Sequence, residues 1–199
     1  MAEHAHDSMP AGTPALVITI SDGVANGTRD DDAGPALAQV LTAQGFAVTR
    51  AAVADDRPAI EDALRSGVDG HVLVVTTGGT GLTPRDVTPQ ATHAVIEYEV
   101  PGLAEAIRAA GRAITPMADL SRGVVGVLDQ TLIVNVPGSP RAALESLSAL
   151  EPTLRHALET LAGPFDHGAA GAGHAARPDL PDPDVHADES AGGHGSEIR

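Results

Sequence analysis

Short apolar runs alternate with stretches in which apolar residues recur every three or four positions, and the alternation repeats three times from residue 15 onward. Residues 15–20, Ala-Leu-Val-Ile-Thr-Ile, form a β-branched run ending in Ser21-Asp22-Gly23, which predicts a buried strand running into a loop. A helix is predicted over 33–44, with Leu37, Val40 and Leu41 on one face and Gly45 as its stop. A second strand over 46–53 leads through Asp55-Asp56 into a helix marked by Ile60, Ala63 and Leu64. The third repetition carries the apolar run 71–76 into Thr77-Gly78-Gly79-Thr80-Gly81. A helix restarts there after Thr88-Pro89, with Thr88 as predicted N-cap and Pro89 as first helical residue. Beyond it the pattern predicts a helix over 103–112 and strands over 124–128 and 131–136 joined by an Asp129-Gln130 turn. One or two helices close the pattern over 141–161, with a break expected at Pro152.

Strand and helix alternating in this way imply right-handed crossovers and an α/β fold, a mostly parallel sheet with helices on both faces and one antiparallel hairpin. Ligands of such sheets collect beyond the carboxyl ends of the strands. Function is therefore expected in the loops 21–32, 54–56, 77–86 and 137–140, which are rich in Gly, Pro and Asp.

Composition changes near Gly163, dividing the chain into a flexible extension at 1–14, a folded domain at 15–163 and a tail at 164–199. The tail is rich in His, Gly, Ala and Pro, and its acids outnumber Arg177 and Arg199; with so little apolar surface it is expected to be disordered. His167, His174, His186 and His194 are irregularly spaced within it, which favours a solvated tail over capture of a divalent metal.

The remaining composition mostly excludes. The 199 residues contain no cysteine, so there is no disulfide framework, thiolate zinc site or cysteine nucleophile. All 12 basic residues are arginine, and without lysine there is no Walker phosphate loop. A formal net charge of −15 and 2% aromatic residues argue against a nucleic-acid or anionic-lipid partner. No apolar run approaches the roughly 18 residues of a membrane span, and residues 1–14 are polar, so a cytoplasmic location is expected.

Chemistry concentrates in a few places. Gly78-Gly79-Thr80-Gly81 between a strand and a helix lets backbone amides approach an anion such as a phosphate, although the same tetrapeptide also serves as a plain tight turn. In the following Pro84-Arg85-Asp86-Val87, Arg85 offers a planar fork to phosphate oxygens, and Asp86 can hold a magnesium ion that bridges them. Structural alternatives are an Arg85 paired with Asp86 or left in solvent, and an Asp86 that only caps a turn. Of Asp55 and Asp56, the one nearer the helix is expected to cap it, leaving Asp55 for the site. At least one of Asp30, Asp31 and Asp32 is expected to stabilise the start of the next helix. Asn135-Val136-Pro137-Gly138-Ser139-Pro140 presents free amides and a hydroxyl at a helix mouth, suited to an anion or a base edge, or forms an ordinary turn.

In order and spacing, Ser21-Asp22, Asp32-Ala33-Gly34-Pro35, the block from Thr76 to Pro89, Pro101-Gly102, Leu120-Ser121-Arg122 and the segment from Asn135 to Pro140 resemble the MogA/MoaB family of molybdenum-cofactor biosynthesis proteins. The likeness covers about 15–161, with Gln90 standing where the family pattern has an acidic residue; the terminal extensions have no counterpart in that pattern. The resemblance implies a three-layer α/β/α domain, a homotrimer, that binds molybdopterin. It further implies transfer of AMP from magnesium ATP onto the terminal phosphate of molybdopterin with release of pyrophosphate. By the same likeness Asp86 and Asp55 are the essential aspartates and hold Mg2+. Ser21, Asp22, Thr77, Gly78, Gly79, Thr80, Gly81, Arg85, Ser121, Asn135, Pro137, Gly138 and Ser139 line the nucleotide and pterin pockets. A molybdenum-insertion enzyme is the implied partner, and a non-catalytic molybdopterin-binding scaffold is the alternative within the family.

Overall fold

Alternate side chains of β1 (Thr13–Ile20) feed two separate cores, because successive residues of a strand point to opposite faces of its sheet. Ala15 and Val17 join Leu73, Val75, Leu132 and Val134 on one face, whereas Leu16, Ile18 and Ile20 join Val74 and Ile133 on the other. A strand buried on both faces needs cover on both, and the amphipathic segments supply it. Helices α2 (Ala33–Ala43), α5 (Pro101–Arg112) and α6 (Pro140–Ala162) pack on the first face; α3 (Arg57–Val68) and α4 (Thr88–His93) pack on the second. The result is a three-layer α/β/α sandwich. The structure is a computed structural model and describes residues 9–163, so the expectations for 1–8 and for the tail at 164–199 lie outside the described residues.

The sheet adds β2 (Phe46–Val53), β3 (Leu73–Thr77), β4 (Tyr98–Glu99), β5 (Val125–Leu128) and β6 (Thr131–Val136), in the order β2-β1-β3-β6-β5-β4. β2, β1, β3 and β6 are parallel, with Thr76 opposite Asn135 across the β3–β6 pair. The β5–β6 pair is antiparallel as predicted, its turn carried by Asp129 at φ 54°. A second antiparallel pair, β4 with β5, escaped the sequence pattern because β4 is two exposed residues long.

The structure corrects two predictions here. Pro152 does not break the last helix, which runs unbroken over Pro140–Ala162. Leu147, Leu150, Leu154 and Leu158, on either side of the proline, are buried in one core, and this packing outweighs the lost amide bond. The carbonyl left without that bond belongs to Ser148, an exposed residue. Nor is Thr88 the N-cap of α4: Val87 holds that position, and Thr88 is the first helical residue, with Pro89 behind it. Among the described residues no helix is long and apolar enough to cross a membrane.

Connections from β1 and β3 leave toward opposite edges of the sheet, so the topological switch point falls between these two strands.

Candidate functional site

Local geometry at the switch point follows from two glycines. Gly78, the first residue after β3, has φ 106°, and a Cβ there would stand 2.4 Å from the Ile20 carbonyl oxygen at the end of β1. Its amide donates to Val136 O at 3.2 Å, so the loop leaves the sheet wedged between the ends of β1 and β6. Gly79 has φ 62°, and a Cβ would stand 2.3 Å from Thr88 Oγ1. That hydroxyl donates to Gly78 O at 2.9 Å, which is why Thr88 is buried under the loop instead of capping its helix.

Beyond the strand ends lies a cavity of about 570 Å³ lined by Thr77, Gly78, Gly79, Thr80 and Gly81 together with Ser21, Asp55, Asp86, Gly138 and the acidic run 30–32. Arg29 is the one cation among its lining residues, against Asp30, Asp31, Asp32, Asp55 and Asp86. A second cavity of about 260 Å³ shares Thr80 and Gly81 with the first and is mainly apolar, with Ile107, Met117, Leu120, Ser121 and Pro137 in its wall.

Asp55 and Asp86 approach the glycine loop from opposite ends. A Cβ on Gly79 would lie 3.6 Å from Asp55 Oδ1, and one on Gly81 would lie 3.0 Å from Asp86 Oδ2. Asp55 is fixed by a reciprocal clamp: its Oδ2 accepts from the Asp22 amide at 2.9 Å, while its own amide donates to Asp22 Oδ1 at 3.0 Å. Asp56 caps α3 by accepting from the Ala59 amide at 3.2 Å, the division of labour expected of the pair.

The Asp86 carboxylate accepts from the Thr83 amide at 2.7 Å. Burial pushes its pKa up, but the Thr83 hydroxyl, the Thr83 and Gly81 amides and the positive charge of Arg122 outweigh this and hold it below the usual carboxylate value. The group is therefore an anion at neutral pH.

Other expected residues stand elsewhere. The Arg85 guanidinium pairs with Asp22 Oδ2, so Arg85 is neither paired with Asp86 nor free, and neither residue lines the two cavities. Asn135 is buried within the fold, with its Oδ1 accepting from the Val124 amide and its Nδ2 donating to Thr76 Oγ1 and Thr92 Oγ1. Both polar atoms of its side chain are spent on bonds to the residue ahead of β5, to β3 and to α4, and Asn135 lines neither cavity. Ser139 accepts from the Ala142 amide at 3.3 Å as N-cap of α6 and likewise lines neither cavity. Ser21 lines the polar cavity and caps the short helix α1 (Asp22–Ala25), which the sequence pattern missed. Asp31 accepts from the Gly34 amide at 2.9 Å and from Thr19 Oγ1 at 3.0 Å, fulfilling the helix-start role expected within the 30–32 run.

Two arginines carry weight that sequence reasoning did not assign. Arg29 brings the cavity its single positive charge. Arg122 donates from Nε to Gly81 O at 2.7 Å and from a terminal nitrogen to Asp86 O. Its only signal in the chain is its place beside Ser121.

As a donor set for a cation, the site holds hard carboxylate oxygens, but among the described residues no three His, Cys, Asp or Glu side chains converge. Asp55 and Asp86 offer hard carboxylate oxygens, the ligand type that magnesium takes alongside phosphate oxygens and water.

Residues 16–156 match the family described as "Probable molybdopterin binding domain". The molybdenum cofactor biosynthesis bifunctional protein of Synechococcus elongatus is 42% identical over 160 residues, 79% of this chain and 50% of that protein, so the chain spans half the length of this relative. The molybdopterin adenylyltransferase of Escherichia coli is 39% identical over 140 residues, 68% of this chain and 72% of the relative. Among solved structures, the molybdopterin biosynthesis enzyme MoaB from Thermus thermophilus superposes with a TM-score of 0.71 at 45% identity, covering 77% of this chain and 99% of that one.

Proposed function

This chain belongs to the molybdopterin-binding domain family of the MogA and MoaB proteins, and on that premise we propose that it adenylylates molybdopterin with magnesium ATP. One observation carries the reading: two carboxylates from different loops, Asp55 and Asp86, flank a glycine loop at the switch point of the sheet. In the reaction a terminal phosphate oxygen of molybdopterin attacks the α-phosphorus of ATP; the new phosphoanhydride forms as the α–β bond breaks, and pyrophosphate leaves. Nucleophile and electrophile are both anionic, so the protein's task is alignment and charge neutralisation rather than proton transfer.

The polar cavity suits the phosphates, with the loop amides and Arg29 as donors. The smaller apolar cavity, reached past Thr80 and Gly81, suits a flat ring. A lining this acidic repels a polyphosphate unless cations accompany it, which supports magnesium on Asp55 and Asp86. When bound, the ion neutralises charge between carboxylates and phosphate oxygens. Ser21, Thr77, Gly78 and Gly138 shape the phosphate side, and Ser121 and Pro137 the apolar side. Arg85 enters the reading only if it exchanges Asp22 for a phosphate.

Homotrimer formation, a molybdenum-insertion partner, a cytoplasmic location and a single functional domain at 15–163 belong to the same proposal; a trimer would give exposed Ile114, Met117 and Leu120 a surface to bury. The test is pyrophosphate release from magnesium ATP by purified protein with and without molybdopterin, set beside Asp86→Ala. Release that requires molybdopterin and is lost in the variant supports the transfer reaction. Molybdopterin binding without any release would overturn it in favour of a non-catalytic binding protein.

A further inference from the structure

Arg122 lies 36 residues beyond Asp86 in the chain, yet it bonds to three carbonyls around the glycine loop. Its amide donates to Thr80 O at 3.0 Å, its Nε to Gly81 O at 2.7 Å and its terminal nitrogen to Asp86 O. The two side-chain bonds close the segment 81–86 at both ends, as one planar fork spanning two main-chain acceptors.

Peptide planarity turns this into an effect on the site. In a trans peptide the carbonyl and the next amide point in opposite directions. The main-chain amide of Arg122 holds Thr80 O and so turns the Gly81 N–H the other way, toward the Asp86 carboxylate, whose own end of the segment the guanidinium fixes through Asp86 O. Thr83, inside the closed segment, supplies the second amide to the same carboxylate.

Arg122 is itself anchored from behind. The Val124 amide donates to Asn135 Oδ1 at 3.2 Å, the Asn135 amide to Val124 O at 2.9 Å, and Arg108 from α5 donates to Gly123 O at 3.2 Å. This strap ties the loop to β6 and α5, which also gives buried Asn135 a purpose at one remove from the ligand.

We propose that Arg122 is a positioning residue for the site: by closing residues 81–86 with its guanidinium it sets where the Asp86 carboxylate stands against the glycine-loop amides. It lines neither cavity and reaches the site through the loop it closes and through the positive charge it presents to Asp86. The nucleotide arm of the test below rests on the function proposed above, whereas the exchange arm does not.

The full chain carrying Arg122→Lys, which has no second coplanar donor, is compared with wild type by amide hydrogen exchange, urea unfolding and calorimetric titration with magnesium ATP. The Gly81 and Thr83 amides are expected to exchange about tenfold faster, as befits one lost charged hydrogen bond, while β1 and β3 amides and the urea midpoint stay unchanged. The dissociation constant for magnesium ATP should rise by a similar factor of about ten. Arg122→Gln, with a shorter neutral amide, should show larger effects of the same kind and serves as the second variant. Loop protection equal to wild type would overturn the proposal. So would protection lost evenly through β1 and β3, or failure of both variants to fold, since either marks Arg122 as a residue of general stability. If the wild type binds no nucleotide, the functional reading fails, and loop exchange still decides the role of Arg122.

Discussion

Replacing Gly78 by alanine separates two reasons for a glycine, freedom of φ and closeness of another backbone. Gly78 has φ 106°, and its added Cβ would meet the Ile20 carbonyl at 2.4 Å. That oxygen belongs to a central strand and cannot swing aside as a side chain would. Gly27, at φ 68° with nothing within 4 Å of its added Cβ, is the control that carries the conformational cost alone. That cost is about 1 kcal/mol for a left-handed residue. Gly78→Ala adds forced displacement of a packed sheet end, about 2 kcal/mol more, for a total of about 3 kcal/mol. With a urea slope of about 2 kcal/mol per molar, the midpoint should fall by about 1.5 M for Gly78→Ala and by about 0.5 M for Gly27→Ala, read by circular dichroism. Equal shifts for the two variants would refute the claim that backbone contact places the loop.

Three further outcomes are expected. Asp56→Ala should cost about 1 kcal/mol in urea unfolding through loss of the α3 cap and leave pyrophosphate release intact, whereas Asp55→Asn should abolish release with the cap preserved. The depressed pKa of Asp86 contributes stability that is complete above the ordinary value of 3.8 and is lost as pH falls through the lower folded value; the stability gap between wild type and Asp86→Asn should therefore narrow only below pH 3.8 in acid titrations followed by circular dichroism. Pro152→Ala restores an amide donor toward the Ser148 carbonyl inside a continuous helix and should raise stability by about 1 kcal/mol, read as a higher urea midpoint; a lower midpoint would mean that the proline fits the helix without cost.

Much of the fold was legible because hydrophobic period reports local geometry. Strands β1, β2, β3 and β6 and helices α2, α3 and α5 fall within a few residues of their predicted places. Pro152 misled for the opposite reason: proline's effect on a helix is local, but the leucines flanking it decide through a core that no window of sequence displays. The short β4 and α1 have too few residues to carry a period at all.

At the candidate site, residue types pointed to loops that line the polar cavity, and Asp56 declared itself as a cap by its place before a helix. The chemistry of polar side chains was less readable, because a hydroxyl, amide or guanidinium takes its role from the partner it meets. Thr88 holds Gly78, Asn135 braces α4, and Arg85 meets Asp22, each through bonds between residues distant in the chain. The alternation of elements, the Gly-rich and acidic loops at strand ends, and the exclusion of thiol and lysine chemistry follow from composition and local spacing. That Asp55 and Asp86 flank one loop and that Arg122 closes it emerges from the packed fold, because strand order, and with it the meeting of distant loops, depends on which hydrophobic faces pack together.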